Sequence, residues 1–186
     1  APDGLFLEQG QTLYGLDWQE LDAESRLDGV MNSVLADLDA LRKAPVADPY
    51  TGPAILEAEA TGVFFHETLG HRLEGERQND EEEGQTFKGQ LGTEIIPSFL
   101  TVRDDPTLSH YAGQSLNGWY GIDDQGVPSR NVVLVERGKL KTFLTSRTPI
   151  EGVSHSNGHG RAQGTREPRA RMGNLIVEGA QPVPRS

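Results

Sequence analysis

The sequence predicts an α+β fold: an N-terminal helix, a second helix, and then an antiparallel or mixed β-sheet built from residues after Gly92. Three observations carry this prediction. Apolar residues recur at three- and four-residue steps near the start of the chain, and short runs rich in β-branched residues follow in its second half. Gly and Pro fill 22 and 11 positions, which favours turns and short strands over a helical bundle. At 186 residues the chain has the length of about one domain with room for an appended arm.

Leu27, Val30, Met31, Val34, Leu35, Leu38 and Leu41 trace one helical face. Asp17 followed by Glu20 matches a capping box, in which the Asp oxygen accepts a first-turn N–H while Glu20 reaches back. The first helix is therefore expected over residues 18–43. Pro45 and Pro49 end it, and the Asp-Pro-Tyr-Thr-Gly-Pro run at 48–53 reads as a linker or turn. Residues 1–47 are thus expected to form a helical arm, and residues 48–186 a second region that is incomplete toward its C-terminal end.

A second helix is expected from Pro53, whose missing N–H is harmless at a first helical position. It should continue through Ile55, Leu56, Ala60, Val63, Phe64 and Leu69, with His66 to His71 in its last turn. The polar stretch 78–85, with its triple acid Glu81-Glu82-Glu83, reads as a solvated mobile loop. Strands are expected over 95–102, 131–136, 140–145 and 174–178. Arg137-Gly138 is a two-residue hairpin signal, with Gly supplying a positive φ. Residues 154–171 are too polar and Gly-rich for a regular element.

Charge and composition exclude several functions. Seventeen basic against twenty-eight acidic side chains leave −11, which argues against the clustered Lys and Arg of a phosphate-binding surface and so against a direct nucleic-acid partner. The absence of cysteine removes disulfides, thiol nucleophiles and thiolate ligands from this chain. No apolar run approaches the roughly 18 residues of a membrane span, and the first residues lack a secretory pattern, so a soluble, cytoplasmic protein without a membrane partner is expected. The sequence starts at Ala1 rather than Met, and residues 181–186 lack periodicity. It reads as a piece of something longer.

One segment has an obvious reaction attached. His66-Glu67-Thr68-Leu69-Gly70-His71 is an HExxxH array on the second expected helix, and composition alone would produce such an array with a chance of about 0.01. Two imidazoles can bind Zn²⁺, and a neighbouring carboxylate can take a proton from water attacking a carbonyl. His66 and His71 are thus candidate metal ligands and Glu67 the candidate catalytic base. The spacing is one residue longer than the usual HExxH. At 100° per residue it splays the two histidines by about 140°, so both reach one ion only if the helix is overwound, bulged or ending there. Gly70 would make such a distortion cheap.

A catalytic zinc normally has three protein ligands, and the motif supplies two. His110, His155, His159, Glu74 and Glu76 are further candidates, with no spacing that selects one. His155-Ser156-Asn157-Gly158-His159 reads better as a flexible polar turn than as a ligand pair. Asp123-Asp124-Gln125-Gly126 reads as an acidic turn between strands, since the alternating acids of a calcium loop are missing. Arg161, Arg166, Arg169 and Arg171 form a basic cluster that could hold a peptide carboxylate or an acidic partner, with a solvated surface loop as the simpler reading. Trp119-Tyr120 reads as core more than as a substrate platform.

The run His66-Glu67-Thr68-Leu69-Gly70-His71-Arg72-Leu73-Glu74-Gly75-Glu76, together with Gly121-Ile122-Asp123-Asp124-Gln125-Gly126-Val127-Pro128 and Val135-Glu136-Arg137-Gly138-Lys139-Leu140, resembles the TldD branch of the TldD/PmbA family, also known as modulators of DNA gyrase or peptidase U62. The resemblance extends from about Asp48 to Ala180 and covers only the middle of a usual family member. It implies a metallopeptidase acting on unfolded or extended peptides, with zinc on His66 and His71 and Glu67 as the base. It also implies homo-oligomers or a PmbA-type partner around an enclosed cavity, and a third zinc ligand that is a Cys well downstream.

This sequence departs from the family at that Cys, which it lacks. It is then either a middle piece of a full peptidase or a short relative without activity. With two histidines alone, zinc should bind weakly or not at all, and peptidase activity should be absent. The rival reading is a non-catalytic binding module whose acidic surface and arginine cluster engage a protein partner, the class to which a gyrase-modulator role would belong.

Overall fold

The computed structural model of the chain describes residues 4–21, 24–82 and 84–183, with the side chains of Glu24 and Ser25 left aside. Asp22 and Ala23 of the first expected helix, Glu83 of the triple acid, and residues 1–3 and 184–186 lie outside the described residues. The chain divides into two compact units, Ala1–Ile55 with Ala112–Ser115, and Leu56–Tyr111 with Leu116–Ser186.

The first unit holds a short helix α1 (Trp18–Leu21) and the 20-residue α2 (Glu24–Lys43). Half of the capping box forms: Asp17 Oδ1 accepts the Glu20 N–H at 3.0 Å, while Glu20 Oε2 reaches one residue past Asp17 and accepts the N–H of Leu16 at 2.9 Å, so two N–H groups without helical partners are satisfied. Along the apolar face of α2, Val30, Val34 and Leu38 are half-buried while Leu27, Met31, Leu35 and Leu41 stay exposed.

The second unit begins with α3 (Ala58–Phe65), which runs directly into a π turn at His66–Gly70 and a 3-10 turn at His71–Leu73; the extended Glu74 separates these from a second 3-10 turn at Gly75–Asn79. The expectation of a helix from Pro53 is corrected. Glu57 is extended at φ −69° and ψ 168°, and the first helical bond runs from the Thr61 N–H to the Glu57 carbonyl at 2.8 Å. Pro53 is compatible with a helix start but does not nucleate one, and Ile55, 87% exposed, has no burial to draw it into a turn.

The remaining strands are β1 (Leu100–Asp104), β2 (His110–Tyr111), β3 (Gln114–Ser115), β4 (Val132–Glu136), β5 (Lys139–Leu140), β6 (Gly160–Arg161), β7 (Arg169–Ala170) and β8 (Leu175–Gly179). One four-stranded antiparallel sheet has the order β5-β4-β1-β8. Two expected strands move. The 95–102 strand begins only at Leu100, because Pro97 cannot donate to a ladder and instead accepts the Leu100 N–H in a turn at 2.9 Å. The 140–145 strand stops at Leu140: the N–H groups of Lys141 and Thr142 both point at the Leu134 carbonyl, 2.8 and 3.4 Å away, which is a bulge that turns the chain away.

Beyond that bulge, Leu144 locks the helical segment to the sheet. Its N–H donates to Leu73 O at 2.9 Å and its carbonyl accepts the Gly75 N–H at 2.8 Å, a parallel bridge between Glu74 and Leu144. Leu73, Val102, Leu134, Val135, Leu140 and Leu144, none of them measurably exposed, form the centre of the core, with Leu69, Phe143 and Ile150 around them. The chain after His66 is therefore positioned by a packed sheet.

Two stretches expected to be irregular are ordered. Gln78 is buried and lies in the 3-10 turn, and the Gln85 side-chain amide donates to the carbonyls of Gln78 and Asp80, whereas Glu81 and Glu82 are exposed. Within 154–171, β6 and β7 pair Gly160 with Ala170 and Arg161 with Arg169.

Candidate metal centre

The extra residue in HExxxH is absorbed by the π turn. Its defining hydrogen bond runs from the His71 N–H to the His66 carbonyl. A ring closed from residue i to i+5 puts the second histidine one turn above the first. The helix is bulged, as one of the expected distortions allowed, and underwound rather than overwound. The two imidazoles meet edge to face with centroids 4.5 Å apart, and one ligand atom from each of His66, Glu67 and His71 lies within 4.8 Å of the others. His66 and Glu67 are exposed and His71 is half-buried.

Gly70 serves this turn through its size. Its φ and ψ are −54° and −55°, open to any residue, so the expected conformational permissiveness is not used. A Cβ there would fall on the Met172 sulfur and lie 3.2 Å from Leu175 Cδ2. The π turn can thus approach the segment leading into β8.

His71 is oriented from behind. Its Nδ1 lies 3.0 Å from Glu74 Oε1; a carboxylate only accepts, so Nδ1 carries the proton and Nε2 keeps its lone pair. Glu74 is 2% exposed, and its other oxygen accepts from Arg77 Nε at 3.1 Å and from an Arg171 guanidinium nitrogen at 2.8 Å. Glu74, a candidate third ligand by its residue type, stands instead as the partner that fixes the tautomer of a metal-binding histidine. Its i,i+3 spacing from His71 is the sequence signal for that role.

The other candidates lie apart from the motif. Glu76 accepts the Ala170 N–H at 3.0 Å and the Ser146 hydroxyl, tying the 3-10 turn to β7. His110 is exposed, with Nδ1 3.0 Å from Ser109 Oγ, and His155 is exposed. His159 is fully buried, contrary to a flexible turn: Nε2 faces Asp104 Oδ1 at 3.1 Å and Nδ1 faces Asn157 Oδ1 at 3.0 Å. Both ring nitrogens are engaged by polar groups of the core, so the ring serves the fold.

Around this buried pair, Tyr120 is core and its hydroxyl donates to Gly158 O at 2.9 Å, while Trp119 is 51% exposed. Burial, reinforced by the Asp104 charge, pushes the Tyr120 phenol well above its ordinary value. Asp123 is the buried cap of its turn, accepting the N–H groups of Gln125, Val127 and Gly160. Asp124 is held below the usual carboxylate range by the Ala162 N–H, which donates to it at 2.7 Å, and by Arg161. A cavity of about 670 Å³ opens beside His71, walled by the arginine cluster.

The PmbA/TldA metallopeptidase C-terminal domain matches residues 49–185. A metalloprotease of Methanocaldococcus jannaschii is 37% identical over 127 residues, which are 67% of this chain and 26% of that protein. A zinc metalloprotease TldD homolog of Saccharolobus solfataricus is 34% identical over 125 residues, 63% of this chain and 26% of that protein. The crystal structure of TldE from Thermococcus kodakarensis superposes with a TM-score of 0.57 at 24% identity, covering 82% of this chain and 33% of that one, a likeness of fold. The chain spans about a quarter of the length of these two curated relatives.

Proposed function

This chain belongs to the PmbA/TldD metallopeptidase family, and on that premise we propose that it carries the zinc-binding and proton-transfer residues of a peptidase acting on unfolded or extended peptides. His66 and His71 hold the metal and Glu67 is the catalytic base. The observation that supports this is the π turn, which gathers a ligand atom from each of the three within 4.8 Å. Two imidazoles are ligands that zinc accepts, and a carboxylate beside them is placed to take a proton from water.

When bound, zinc supplies a Lewis acid that polarises the scissile carbonyl and activates water. His71 offers Nε2, because Glu74 engages Nδ1. A Glu67 carboxylate oxygen accepts the proton of the attacking water and passes it to the departing amine. The third ligand is, by family resemblance, a Cys downstream of these residues. In this reading residues 1–47 are a helical arm, residues 48–186 carry the peptidase part, and the working enzyme is a cytoplasmic homo-oligomer or a complex with a PmbA-type partner.

Titration calorimetry with Zn²⁺ tests the reading. The 186-residue chain is expected to bind zinc weakly, to lose binding in His66→Ala and His71→Ala, and to keep it in Glu67→Gln. A chimera that appends the Cys-bearing segment of a relative is expected to bind tightly and hydrolyse peptides, with Glu67→Gln abolishing turnover alone. Zinc binding indifferent to both histidine substitutions, or peptide capture without hydrolysis by the chimera, would instead favour the binding module.

A further inference from the structure

The wall of the cavity beside His71 has a charge pattern that its own packing does not explain. Arg161, Arg166, Arg169 and Arg171 converge on it with one acid, Glu167, in a chain whose net charge is −11. Two of these arginines are braced. Arg171 is held by Glu74 at 2.8 Å, and Arg161 by Asp124 at 3.2 Å, with its guanidinium carbon 4.1 Å above the Tyr120 ring. Arg166 and Arg169 are exposed, and neither has a carboxylate within ion-pair distance among the described residues.

The backbone brings like charges together here at a cost. Arg161 and Arg169 are direct cross-strand partners in the two-residue ladder of β6 and β7, an arrangement that destabilises a strand pair. A short ladder gains little from its few hydrogen bonds, so an opposed arginine pair is a poor choice for stability alone. Asp124 offsets the charge of Arg161, and a bound anion would offset that of Arg169. Guanidinium forks match the two oxygens of a carboxylate, and the cavity adjoins the imidazole of His71.

We propose that this cavity is a substrate subsite that captures a carboxylate on the peptide, either its C-terminal α-carboxylate or an acidic side chain, beside the metal motif. Arg166 and Arg169 supply the free charge, and Arg161 and Arg171 shape the wall. The proposal deepens the peptidase reading and rests on it for the identity of the ligand as a peptide.

Fluorescence anisotropy of labelled decapeptides with the 186-residue chain at low salt tests it. One peptide has a free C-terminus and no acidic side chain, a second is amidated and carries two Glu, and a third is amidated without acid. The first, the second or both are expected to bind about tenfold more tightly than the third, and which of them does so identifies the source of the carboxylate. Arg166→Gln/Arg169→Gln, which changes exposed side chains only, is expected to abolish the preference, and Glu167→Gln to enlarge it. His66→Ala, outside the cavity wall, is expected to keep it while losing zinc, so failure of the metal reading and failure of the subsite give different results. Equal binding of all three peptides, or a preference untouched by the double arginine variant, would overturn the proposal.

Discussion

A Cβ on Gly138 would stand 2.5 Å from the Ile96 carbonyl oxygen, and its φ of +80° follows a φ of +43° at Arg137. Both central residues of the β4–β5 connection are therefore left-handed, the geometry that matches a hairpin's twist. Arg137 shares a conformation that the sequence pattern assigned to the glycine alone. Gly138→Ala is expected to cost at least about 2 kcal/mol, from left-handed strain and the carbonyl clash together, measured by urea unfolding. Asp124 gives a second test at this scale. Its lowered folded value means that its contribution is present above the ordinary carboxylate range, about pH 4, and is lost as pH falls through the folded value. The Tm difference between wild type and Asp124→Asn should be constant from about pH 5 to 7 and close below about pH 4. A difference that grew on acidification would refute that role.

Among elements, the π turn shows what a motif conveys and what it leaves out. Five-residue spacing told that a regular helix would fail at His66–His71, but several distortions satisfy that demand. The choice rests on contacts distant in sequence: Gly70 meets Met172 and Leu175, and Leu73 and Gly75 bond to Leu144. Gly70→Ala is expected to destabilise by about 1–3 kcal/mol through overpacking, and Met172→Ala in the same chain should recover part of the loss, a coupling that thermal unfolding of the four-member cycle would reveal. Glu74→Gln is expected to weaken zinc binding about 10- to 100-fold in calorimetry, because it loosens the hold on Nδ1 of His71. No change in zinc affinity would make Glu74 purely structural.

At the scale of the whole molecule, the α+β class, the helix over Glu24–Lys43, the β4–β5 hairpin and the last strand were legible, because each rests on local periodicity or on a turn residue. The short β6–β7 ladder was not, since Gly160, Arg161, Arg169 and Ala170 carry no alternation. Nor was the burial of His159, which depends on Asp104, 55 positions away in sequence. Leu134 is one of the fully buried residues of the core, so Leu134→Ala is expected to cost about 2–5 kcal/mol and to shift the unfolding of the second unit as one transition. Among the described residues no helix is long and apolar enough to cross a membrane.

Glu74 gives one oxygen to His71 and the other to Arg77 and Arg171, so a single carboxylate steadies the imidazole and one edge of the arginine wall. The two cannot be tuned separately. Substitutions on either side of Glu74 should combine non-additively, and any lineage that altered one would have to renegotiate the other.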